Sequence, residues 1–199
     1  MSSINMSELR AEQDRTDSRR QQLSERFTAF REGLLGRLEQ LTAEAAETGL
    51  RGVQSLERTY ESGQLLEVTL SLNDMPLLLV VPAKAQYLQG EREDILAFRV
   101  FVFFSTDTDN AYPLLDIVCG ECGGDSGCYE IRVLPSEEGW KLRKSGRLTE
   151  EGSQEAAEYL VDFLYQMRPA WRPEPKLRQL RSGRTVSRPI GFRTGRANE

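Results

Sequence analysis

The chain has 199 residues, 39% apolar and 29% charged, a composition that fits one folded domain carrying polar appendages. It contains no histidine, which excludes catalysis by a histidine base and any histidine-ligated metal, and its formal net charge is −5. Three cysteines are too few for a disulfide framework, and the N-terminal stretch "MSSINMSELRAEQDR" lacks the apolar core of a secretory signal, so a cytoplasmic location is expected.

Residues 1–22 are almost wholly polar, with Leu9 the lone aliphatic between Ser7 and Gln22, and read as a polar helical or disordered extension. A single α+β domain is expected over 23–168. It opens with Leu23, Phe27, Phe30, Leu34, Leu38, Leu41 and Ala45, spaced 4-3-4-4-3-4, which is one continuous stripe on a helix. The first six of these residues form the candidate interaction surface. Gly49 and Gly52 are the expected stop.

The middle of the chain predicts an antiparallel sheet of about five to six strands. Leu66, Val68, Leu70 and Leu72 alternate with Glu67, Thr69 and Ser71, and Asn73-Asp74 makes a turn. Residues 75–82 and 95–104 are apolar without alternation, as in strands covered on both faces, except for Arg99. Arg99 therefore either pairs with a buried carboxylate, marks a pocket or snorkels at an edge. Residues 113–119, 128–134 and 140–144 read as three more strands. A second amphipathic helix follows, with Ala157, Leu160, Val161 and Leu164 on one face, Phe163 and Met167 widening it, and Thr149 or Ser153 as its cap. Two helices cannot easily cover both faces of such a sheet. The surplus apolar surface predicts a homodimer or a protein partner.

The segment 169–199 is an Arg- and Pro-rich tail without periodicity, expected to be flexible. From Arg168 to Glu199 there are nine basic and two acidic residues, net +7, against 17 and 29 in the remainder, net −12. Arg178, Arg181, Arg184 and Arg188, spaced 3-3-4, are the candidate polyanion-binding residues. Arg184 to Pro189, with Ser187 inside, resembles a basophilic kinase site.

The run "CGECGGDSGC" at 119–128 concentrates the chemistry-bearing residues. Gly124-Asp125-Ser126-Gly127 resembles a serine-protease nucleophile loop, but the base that such a serine needs is missing. Cys119, Cys122 and Cys128 could ligate zinc, with Asp125, Asp116 or a neighbouring subunit supplying the fourth ligand. A redox role for Cys119 and Cys122 lacks the helix N-terminus that usually activates such a pair. The simplest reading is a glycine-rich hairpin turn with no cofactor. Asp107 and Asp109 lack the rest of a calcium loop. No phosphate-binding glycine loop and no membrane-length apolar stretch is present.

These readings favour a non-enzymatic protein-interaction module: an adaptor, assembly factor or chaperone-like subunit. The alternative is a nucleic-acid-associated protein that binds phosphate backbones through its tail. An enzyme is the least favoured reading.

Overall fold

The computed structural model describes residues 5–88, 95–105, 113–122, 127–133 and 141–167. A long helix is followed, among the described residues, by eight antiparallel strands and a second helix, an α+β architecture. Among the described residues, no helix is long and apolar enough to cross a membrane.

Helix α1 runs Met6–Glu47 without a break, about 63 Å at 1.5 Å per residue. Asn5 caps it, its side-chain oxygen accepting from the Ser7 amide at 3.2 Å. Gly49 and Gly52, at φ of 79° and 63°, turn the chain away at the other end. The polar N-terminal stretch is thus the outer part of the same helix. Burial begins where the apolar spacing begins: Leu23, Phe27, Phe30, Leu34 and Leu38 are at most 3% exposed, and Leu41 packs beside them. This corrects the expectation of an open interaction surface along Leu23, Phe27, Phe30, Leu34, Leu38 and Leu41. The stripe is covered by the protein's own sheet.

The strands are β1 (Gln54–Glu61), β2 (Gln64–Leu72), β3 (Met75–Val80), β4 (Gln86–Leu88), β5 (Ile95–Phe103), β6 (Leu115–Gly120), β7 (Cys128–Val133) and β8 (Lys141–Arg147). They pair in the order β1-β2-β3-β5-β6-β7-β8, with β4 also on β5. Eight strands replace the expected five to six because β1 is a polar edge strand without readable alternation and β4 has three residues. Ser62-Gly63 and Asn73-Asp74, all with φ between 52° and 78°, close the first two hairpins as two-residue turns.

Register sorts the side chains into two faces. Val68, Leu79, Val102, Leu115 and Val133 form one row across five strands. On that face Phe98 lies opposite Cys119, and Cys119 opposite Tyr129. Both helices cover it. Phe27 of α1 stacks on Phe98 at 4.0 Å and 6°, and Phe30 meets Tyr129 at 5.1 Å. A Cβ on Gly146, opposite Tyr129, would lie 2.6 Å from Tyr129 Cε1, so the glycine makes room for the ring.

Helix α2 (Glu150–Met167) begins at Thr149, whose hydroxyl accepts from the Gly152 amide at 3.2 Å. Ser153 is no cap: it is buried, and its hydroxyl donates to the Glu150 carbonyl at 2.6 Å. Ala156, Ala157, Leu160 and Leu164 are buried, and Phe163 packs on Phe104 at 5.7 Å. The two helices approach so closely that a Cβ on Gly33 would collide with Ser153 Oγ. Arg37 bridges them, its Nη2 lying 2.9 Å from Glu158 Oε1.

The opposite face carries a second apolar cluster, Leu78, Phe101 and Phe103, each no more than 6% exposed within a single chain.

Burial, and then the charge of Glu155, pushes the Tyr129 phenol up to about 12 from its ordinary 10. The folded chain holds this proton more tightly than the unfolded one. The stabilisation is complete below about pH 10 and is lost as pH rises towards 12. Phenolate absorbance should show Tyr129 among the last tyrosines to ionise, and Tyr129→Phe should lessen the alkaline loss of stability. An unchanged alkaline slope in that variant would refute the assignment.

Candidate functional site

Three places bring polar chemistry together. The first is the junction of the outer helix with the cysteine loop. From Met6 to Gln22, α1 buries no side chain, and Met6 and Leu9 stand 73% and 53% exposed. Arg19 and Arg20 tie this part to the sheet. Arg19 Nε donates to Glu121 Oε1 at 3.0 Å, with Arg19 Nη2 beside Glu121 Oε2, and the Arg20 guanidinium lies 5.8 Å from the Tyr87 ring centroid. Exposed pairs of this kind contribute about 0–1 kcal/mol each and weaken with salt.

Glu121 belongs to the cysteine loop, and register separates its three thiols. Cys119 faces the helix-covered core and is fully buried, which raises its pKa far above the thiol range. Cys128 pairs with Gly120, the next residue along, and so points to the opposite face. Burial pushes Cys128 up to about 12, and the neighbouring Cys122 thiol adds to the shift. Cys122 and Cys128 are each part-exposed. Zinc needs four converging ligands, and among the described residues no three His, Cys, Asp or Glu side chains come together for a metal. Cys122 and Cys128 are neighbours, while Cys119 lies on the other face of the sheet. Asp125 lies outside the described residues.

The second place is on the face of the sheet opposite α1 and α2. Asp116 is fully buried and receives Arg99 Nε at 2.5 Å, Arg132 Nε at 2.9 Å and Arg132 Nη2 at 2.6 Å. The Arg99 guanidinium also sits 4.7 Å from the Phe101 ring centroid. Of the three expectations for Arg99, the buried carboxylate is the one the fold supplies. Desolvation lowers the Arg99 pKa, with Asp116 opposing and Arg132 reinforcing the shift. Asp116 is committed to this cluster and is turned away from Cys119. The sequence signal for it was an isolated acid within the apolar run 113–119.

The third place is a pair of small clefts. One of about 190 Å³ lies between α1 and the β1–β2 turn, lined by Ser24, Thr28, Arg31 and Gln64. The other, about 240 Å³, lies over the start of β1 and includes Glu57, Thr69 and Asp74. Both fall below the roughly 300–1,000 Å³ of ordinary small-molecule sites.

Arg178, Arg181, Arg184 and Arg188 lie outside the described residues, as do Ser187, Asp107 and Asp109. No family model, no curated protein and no solved structure matches this chain, so its chemistry is read from its own residues.

Proposed function

We propose that the protein is a non-enzymatic protein-interaction module, an adaptor, assembly factor or chaperone-like subunit, and that it meets a protein partner through the outer part of α1. The observation that supports this is the projecting helix itself, 17 residues or about 25 Å long, with no apolar face of its own to bury. A helix that is polar all round bridges to something else or gains little from folding. From Met6 to Gln22 it carries Glu8, Glu12, Asp14 and Asp17 against Arg10, Arg15, Arg19 and Arg20, net zero. Such a surface offers a polyanion as much repulsion as attraction, whereas a protein face of mixed charge can match it pair by pair.

A photo-crosslinking residue in place of Leu9 in the full chain should yield one discrete protein adduct. Reversing Arg10 and Arg15 to glutamate should abolish that adduct while leaving the unfolding midpoint nearly unchanged, because exposed substitutions cost within about 0.5 kcal/mol. Adducts to nucleic acid alone, or a protein adduct indifferent to the reversal, would overturn the reading.

The alternative is nucleic-acid binding through Arg178, Arg181, Arg184 and Arg188. It draws support from β8, an edge strand with Lys141, Arg143, Lys144 and Arg147 among its seven residues. Its bland explanation is equally physical, since charged side chains keep a sheet edge from pairing with other chains. Truncation after Met167 should remove polyanion binding if the tail carries it. Persistence of that binding at physiological salt would move the site to β8.

A further inference from the structure

We propose that Cys122 and Cys128 are a redox pair that closes into a reversible disulfide when the protein meets a low-molecular-weight disulfide such as oxidised glutathione, while Cys119 remains a thiol. Three observations carry this. The Cys122 and Cys128 side chains are neighbours across the end of the β6–β7 hairpin. Both are part-exposed, so a small oxidant can reach them. Cys119 is the nearer cysteine to Cys122 in sequence, but it is fully buried and on the other face of the sheet, between Phe98 and Tyr129 in register. The sequence-level pair of Cys119 and Cys122 is thereby replaced by a pair six residues apart. Gly127, at φ +66°, turns the chain immediately before Cys128.

The exchange balances in two steps. The Cys122 thiolate attacks one sulfur of the oxidant, breaking its S–S bond, forming a mixed disulfide on Cys122 and expelling one thiolate, which takes up the proton Cys122 has lost. Cys128 then gives up its proton, and its sulfur displaces the second small thiolate, forming the Cys122–Cys128 bond. Two protein thiols lose two electrons in all, and the small disulfide is reduced to two thiols. The first step is assigned to Cys122 because burial, with the neighbouring Cys122 thiol, pushes Cys128 up and so disfavours its thiolate.

Glu121, adjacent to Cys122, holds Arg19 of the outer helix. That contact to Arg19 is the nearest structural readout of closure.

The test incubates the full chain with oxidised glutathione, alkylates it and maps the thiols by peptide mass. The expected product has a Cys122–Cys128 link, with Cys119 alkylated only after unfolding, and dithiothreitol restores all three thiols. In Cys128→Ser the reaction should stop at glutathione on Cys122, and in Cys122→Ser no link should form. If these variants misfold, the wild-type map alone decides. A wild-type protein that keeps a stable glutathione adduct without closing, that links Cys119, or that forms only intermolecular disulfides overturns the proposal.

Discussion

Asp116→Ala should destabilise the fold by about 3–5 kcal/mol, the range found when one partner of a buried ion cluster is removed. The carboxylate is fully buried and receives three guanidinium hydrogen bonds of 2.5–2.9 Å from Arg99 and Arg132. Without it Arg99, itself 5% exposed and stacked against the Phe101 ring, loses the carboxylate that balances its charge. Arg132 suffers less, because its partly exposed side chain can turn to water. Asp116→Asn keeps the shape and some hydrogen bonds and should cost less than the alanine variant. The double variant Asp116→Leu with Arg99→Met should recover much of the loss, since an apolar replacement of a buried ion cluster is often neutral. Urea denaturation of the three variants reads the order. A loss below about 1 kcal/mol for Asp116→Ala would mean that the cluster contributes little to the fold.

That cluster also shows how far the sequence carries. Arg99 stands out in an apolar run, and the need for a buried carboxylate follows from the charge alone. Which carboxylate answers depends on strand register: Phe101 lies opposite Asp116 and Asp116 opposite Arg132, and no local pattern shows that alignment. The same holds for the cysteines. Composition gathers them into ten residues, whereas the parity of a paired hairpin puts Cys119 inside and Cys128 outside. The α1 stripe was legible as a helix face, since its spacing is a property of the chain. Its use was not, because an apolar stripe looks the same whether it covers the chain's own sheet or another molecule. Strand β1 left no signal, its burial being too slight to impose alternation on Gln54–Glu61.

Phe27→Ala should cost about 3–5 kcal/mol, the range for deleting a buried aromatic side chain. The ring is almost fully buried and lies parallel to Phe98 at 4.0 Å, so it is a central contact between α1 and β5. Both rings also line the cleft of about 190 Å³ beside the β1–β2 turn, and the deletion would widen that cleft towards solvent. Water entering the enlarged space would spare part of the cavity penalty, which places the expected loss at the lower end. Leu41→Ala, further along the same stripe but only partly buried, serves as the comparison and should cost clearly less. Equal losses for the two variants would contradict the placement of Phe27 at the centre of the contact.

The bridge between Arg37 and Glu158 joins residues 121 positions apart, so the helix made first waits for the helix made last. At roughly 5–20 residues per second, translation leaves α1 without α2 for about 6–24 seconds. The β1–β2 and β2–β3 hairpins turn on two residues each and can form locally in that interval. The stripe from Leu23 to Leu38 cannot complete its burial on the same schedule, because Phe98 and then Leu160 arrive later. The nascent chain therefore displays the apolar face of α1 while its sheet is still being assembled, and the docking of α2 is the last event to hide it.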